Sequence, residues 1–146
     1  MGNGWQAFGH RLLRELSELP VGASLLVSEP DPEPSPAPAR KWWQFTANRP
    51  RAVPGCYLQF QRWEEVVRAE CVSGAYRVVS ESAHAELMAL GWSDPATQPA
   101  RWGTDNYVYD ADPDELEPLA DLCVQSLELI GAKADAAWTW RVTGSA

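Results

Sequence analysis

No stretch of this 146-residue chain approaches the 18 consecutive apolar residues that mark a membrane-spanning helix. Basic charge is also scarce. Twelve lysines and arginines face twenty carboxylates, a formal net charge of −8, so a phosphate backbone or an anionic bilayer surface would repel the chain. Arg40, Lys41, Arg49 and Arg51 form the only modest basic cluster. Neither nucleic acid nor membrane is expected as a partner. The three cysteines, Cys56, Cys71 and Cys123, are odd in number and lack paired spacing, which suits reduced thiols in a cytoplasm better than a disulfide framework. The opening residues MGNGWQAFGHRLLRELSELP are amphipathic and contain no apolar core of signal-peptide length. Gln6 stands where myristoylation wants Ser or Thr.

Catalytic and metal-binding patterns are missing as well. There is no GxSxG, no HExxH and no glycine-rich phosphate loop. His10 and His84 fall on different helical segments and the cysteines lie far apart, so no set of ligands has metal-site spacing. His84, near a helix start, reads as a surface residue. Asp110, Asp112, Asp114 and Glu115 imitate part of a calcium loop, but its glycine and later glutamate are absent. A helix cap explains them better. Glu64, Glu65 and Glu70 hold the carboxylates a glycosidase would need, yet the first two sit at a hairpin turn where solvated acids are ordinary. Cys71 falls on a buried register and should be inert. The chain is therefore read as non-enzymatic, with no cofactor and no metal.

What is present is a balanced globular composition with eight tryptophans spread along its length. The length suits one domain over residues 1–146, with a proline-rich internal loop at 30–39. Trp5, Phe8, Leu12, Leu16 and Leu19 recur at helical steps, and Pro20 and Gly22 stop that helix. Residues 23–28 form a first strand and residues 41–47, KWWQFTA, a second. YLQFQRW and VVRAECVS form a hairpin across Glu64 and Glu65, and YRVV extends the meander. SAHAELMAL is a second helix closed by Gly91. An irregular segment with Pro95 and Pro99 leads to a strand at 106–110. The third helix takes Asp112 as N-cap and Pro113 as its first residue. Leu116, Leu119, Cys123, Leu127 and Ile130 then follow at helical spacing. WTWRV alternates in a way that allows a final strand, with a continued helix from Ala134 as the alternative. The expected order is α-β-β-β-β-α-β-α, an α+β fold in which about five antiparallel strands carry helices on one face.

Alternation separates the faces of that sheet. Trp43, Phe45, Leu58, Phe60, Val67, Ala69 and Cys71 share an apolar register that belongs under the helices. The opposite register holds Trp42, Gln44, Tyr57, Gln59, Gln61, Trp63, Arg68 and Glu70. Rings beside amides and two opposite charges suit an extended or amphipathic peptide, which makes these eight residues the candidate peptide-binding set. Ordinary cross-strand pairing is the competing explanation.

The run YLQF, then RAECVSGAYRV, the helix ending LMALGW, a proline-containing loop, RW and a long last helix resemble the YbjN-like and type III secretion chaperone-like superfamily, in particular its actinobacterial TY-Chap branch. The cues are Gln59-Phe60, Ala69-Glu70, Leu90-Gly91-Trp92 and Trp102, in order from Trp5 to about Gly131. The resemblance implies a small α+β protein that binds segments of client proteins without catalysis, and it implies possible homodimers. The proline-rich stretch between Glu29 and Arg40 and the doubled Trp42-Trp43 depart from that pattern. Two other functions fit the composition: a structural or dimerisation domain of a larger assembly, and a sugar- or small-ligand-binding module using exposed tryptophan.

Overall fold

A computed structural model describes residues 3–29, 56–72 and 79–144. The proline-rich loop, the strand expected at 41–47 and most of the YRVV extension lie outside them. The described elements run α1 (Asn3–Glu18), β1 (Ser24–Ser28), β2 (Tyr57–Arg62), β3 (Val67–Cys71), α2 (Glu81–Leu90), β4 (Tyr107–Ala111), α3 (Leu116–Leu129) and β5 (Thr139–Thr143). The five strands form one antiparallel sheet in the order β4-β3-β2-β1-β5. The fold is α+β, as the alternation and helical periodicities imply.

Registry explains why one face is dry. Opposite partners in an antiparallel ladder share a face. Val142, Leu25, Phe60, Ala69 and Tyr109 therefore form one row, and Trp140, Val27, Leu58, Cys71 and Tyr107 the next. Onto these rows pack Phe8, Leu12 and Leu16 of α1, Leu19 just past its end, and Leu119, Cys123 and Leu127 of α3, all within the main core cluster. The stripe of α1 thus performs as its spacing requires. At the β5 edge the ring of Phe8 gathers Trp5, Trp138 and Trp140 at centroid distances of 5.4, 4.9 and 5.2 Å. Arg11 lies 4.5 Å from the Trp140 ring. The C-terminal segment is the strand of the two alternatives, and it pairs beside β1.

Helix α2 ends where expected. Gly91 takes φ 111°, and the Gly91 and Trp92 amides donate back to Met88 and Leu87. A Cβ at Gly91 would also stand 3.1 Å from the Tyr109 ring, so the position needs glycine both for backbone and for space. Ser80 caps the helix start by accepting from the Ala83 amide.

Helix α3 begins later than the cap signal implies. Asp112 accepts from the Asp114 amide and its carbonyl accepts from Glu115, closing a turn ahead of the helix. The first helical residue is Leu116. Pro118 gives the reason. A start at Pro113 would place its missing N–H inside the helical ladder, whereas a start at Leu116 puts it in the first turn, where amides have no partner anyway.

Candidate functional site

The outer face of the sheet carries its own rows. Arg141, Leu26, Gln59, Glu70 and Val108 form one, and Thr143, Ser24, Gln61, Arg68 and Asp110 the next. Tyr57 stands opposite Ser28, whose other cross-strand partner is Thr139. Six of the eight expected residues are thus brought to one surface. Trp42 and Gln44 lie outside the described residues.

Those six are not alike. Arg68 is committed inside the protein. Its Nε and Nη2 donate to Oδ1 and Oδ2 of Asp110 at 2.7 and 2.9 Å, a two-pronged bond of the kind a guanidinium makes best. Its Cζ lies 5.2 Å from the Trp63 ring and 4.8 Å from the Trp102 ring. The bond to Asp110 holds the guanidinium pKa above its ordinary value. Glu70 accepts from the Thr104 hydroxyl at 2.7 Å and from Asn106 Nδ2 at 3.4 Å. Tyr57 accepts from Asn106 Nδ2 at 2.8 Å. These bonds bring residues 102–106 over the β3–β4 side of the outer face. Val108, on that face, is consequently 1% exposed.

Gln59 and Gln61 differ. Both are half-buried on β2, and their side chains make no hydrogen bond among the described residues. Each offers a carbonyl acceptor and two N–H donors. Leu26 sits beside Gln59, Ser24 beside Gln61, and Arg141 is the next residue across the sheet from Leu26. Trp63, 41% exposed, stands just past the end of β2. The result is a surface with one apolar patch, two adaptable amides, a hydroxyl, a cation and an indole.

Sequence reasoning missed Leu26, Ser24 and Arg141 on this surface, and Trp102, Thr104 and Asn106 in the segment that covers part of it. The first three follow the same alternation as the residues that were found, in SLLVS and TWRVT. Placing them beside Gln59 required knowing that β1 lies next to β2 and β5 next to β1.

The covering segment is anchored from below. Asp94 caps a short 3-10 turn, Pro95–Thr97, by accepting from Ala96, and a second turn, Ala100–Trp102, follows. The Ser93 amide donates to Val108 at the outer edge of β4. Gln98 Nε2 donates to the carbonyls of Ser93 and Asn106. His84 is drawn into the same arrangement rather than standing as a plain surface residue. Its Nδ1 lies 2.8 Å from the Tyr107 hydroxyl and its Nε2 lies 3.8 Å from Asp94. Trp92 is buried, and its indole donates to Ser126 Oγ at 2.7 Å, which donates in turn to the Leu122 carbonyl. The Leu90-Gly91-Trp92 triplet is thus a joint between α2, α3 and β4.

No group of three or more metal-ligating side chains occurs among the described residues. No helix among them is long and apolar enough to cross a membrane. All three thiols are buried and unbridged. Burial pushes the Cys71 and Cys123 thiols well above their ordinary pKa, which disfavours the nucleophilic thiolate.

No curated protein and no solved structure matches the chain. The family model described as T3SS (YopN, CesT) and YbjN peptide-binding chaperone 3, TY-Chap3, matches residues 1–138. That match takes in every described element up to α3 and stops just before β5. The chain belongs to this family of peptide-binding chaperones.

Proposed function

We propose that this protein is a non-catalytic, chaperone-like adaptor that holds an extended segment of a client protein against the outer face of β1 and β2. The observation that carries the reading is the pair Gln59 and Gln61. Half-buried amides without partners among the described residues keep their hydrogen-bonding capacity for a ligand, and a neighbouring Leu26 and Trp63 supply apolar contact. Amides accept either orientation of a peptide group, which suits clients of varied sequence. Tyr57, Arg68 and Glu70 act in this scheme by fixing the covering segment, and so by setting the width of the surface. Trp42 and Gln44, on the same expected register, complete the set of contacts.

The test is capture of clients from a lysate of the native organism by wild type, by Trp63→Ala and by Gln59→Ala/Gln61→Ala. Losing two hydrogen bonds of ordinary strength should weaken binding by about 5- to 100-fold. Trp63→Ala should weaken it while the melting temperature stays within a few degrees. Identical recovery by a folded variant would overturn the assignment of this face. Recovery of one protein at fixed stoichiometry, unaffected by either variant, would instead favour a structural domain of an assembly.

A further inference from the structure

On the far side of the molecule from the sheet's outer face, α2 and α3 enclose a groove of about 440 Å³, lined by Glu86, Ala89, Leu90, Gln125, Glu128 and Leu129. Its floor is apolar and its polar rim is acidic. Neither helix contains a lysine or an arginine, while together they carry Glu81, Glu86, Glu117, Asp121 and Glu128. Neither Glu86 nor Glu128 has an ion-pair partner among the described residues. The electrostatics are reinforced by the backbone. Leu90 and Leu129 are the last residues of their helices, so the negative ends of both helix dipoles lie at this groove, and neither last turn holds a basic residue. A groove with two carboxylates and two helix C-termini around an apolar floor, and no cation among its described lining residues, presents a surface whose complement is apolar and positively charged.

The backbone also selects the shape of the occupant. Both walls are helices, and no strand is among the lining residues. An extended peptide would find no strand to pair with among these residues. A helix satisfies its own backbone and can lay an apolar ridge between two others. We infer that the α2–α3 groove is a second docking site, which takes a cationic amphipathic helix of a partner protein, with leucine-like residues on the floor and lysine or arginine beside Glu86 and Glu128. This inference does not depend on the sheet face being the peptide site.

The probe is a fluorescein-labelled synthetic helix of about 15 residues, a length near the limit at which isolated helices form. It carries leucine at i, i+3, i+4 and i+7 with lysines flanking that stripe. A control peptide carries glutamate in place of every lysine. Fluorescence anisotropy against the full chain should show binding of the lysine peptide and none of the glutamate peptide. Glu86→Lys/Glu128→Lys reverses two exposed charges and should weaken binding at least about tenfold at low salt, with a smaller difference at about 1 M salt, where screening acts within a few ångströms. Ala89→Arg, at an exposed position on the floor, should abolish binding by filling the groove. Trp63→Ala should leave it unchanged, which separates this site from the sheet face. Absence of binding, equal binding of the glutamate peptide, or indifference to both groove variants would overturn the inference. So would a wild-type dimer in sedimentation that Glu86→Lys/Glu128→Lys dissociates, since the occupant would then be a second copy of this chain.

Discussion

The two faces of the sheet are built from the same strands and hold together by different physics. In the row Leu25, Phe60, Ala69 and Tyr109, contact is between apolar side chains under two helices. In the row Ser24, Gln61, Arg68 and Asp110, one residue away on each strand, the strongest contact is a charge-assisted bond with rings against it. The first kind of face derives stability from area removed from water and tolerates no polar intruder. The second derives little stability from each contact but keeps exchangeable hydrogen-bonding groups at its centre. A sheet with one face of each kind can bind on one side without loosening the other.

That contrast can be broken most violently from the inner side. Phe60→Ala should cost about 3–5 kcal/mol, a large share of the 5–15 kcal/mol typical of a whole domain. Urea denaturation should show the midpoint falling steeply. A small change would mean that the inner row is not the energetic centre of the fold.

Alkaline pH probes the same face through its thiols. Cys71 and Cys123 keep their protons in the folded state well beyond the ordinary thiol pKa, because burial penalises the thiolate. Above that ordinary value the unfolded chain loses protons that the folded chain retains, so stability falls as pH rises. Each thiol should contribute a slope of about −1.4 kcal/mol per pH unit above about pH 8.5. The contribution is fully present below that pH and is lost progressively as pH climbs toward the folded value. Urea midpoints measured from pH 7 to 10.5 should fall faster for wild type than for Cys71→Ala, after correction for the variant's lower starting stability.

The outer face should respond more gently. Asp110→Ala removes the partner of a partly exposed arginine and should cost about 1 kcal/mol or less after solvent screening. Thr104→Val removes the bond to Glu70, at about 0.5–1.5 kcal/mol, and its informative readout is local. Hydrogen exchange should accelerate in residues 93–106 and not in α1. Uniform acceleration would mean that the covering segment and the core open as one unit, and the distinction between the two faces would be lost. Gln59→Ala/Gln61→Ala should move the melting temperature least of all, since neither amide has a described partner to lose, while it reduces client binding most.

How much of this was legible in the sequence depends on how local each cause is. The stripe of α1, the alternation in YLQF and VRAEC, and the glycine that closes α2 are written within a few residues, and each is where its pattern requires. The start of α3 was misread because Asp112, Pro113 and Glu115 satisfy the rules for a cap, while the deciding residue, Pro118, stands farther along. The candidate face was legible as a register but not as a site. Arg68 meets Asp110 across 42 positions, and Tyr57 meets Asn106 across 49. Which of the six residues are engaged internally and which remain available follows from strand order and from the path of one covering segment, and alternation encodes neither. His84 shows the same limit. Its position on a helix is local, and its engagement with Tyr107 and Asp94 is not.

Glu29 gives the fold a further property. Its amide donates to the Cys56 carbonyl, its carboxylate accepts from the Cys56 amide, and the other carboxylate oxygen accepts from the Lys133 amide. The chain therefore leaves the sheet after β1 and re-enters before β2 at a single buttoned point. Glu29 and Cys56 are thereby held side by side, and the β1–β2 ladder registers from them. Because closing a longer loop costs only about 0.6 kcal/mol per doubling of its length, the protein has a socket in which an insert can be exchanged, lengthened or trimmed while the platform stays in place. A lineage could change the segment between these two residues without redesigning the domain, and an engineer could graft a new one at the same two points.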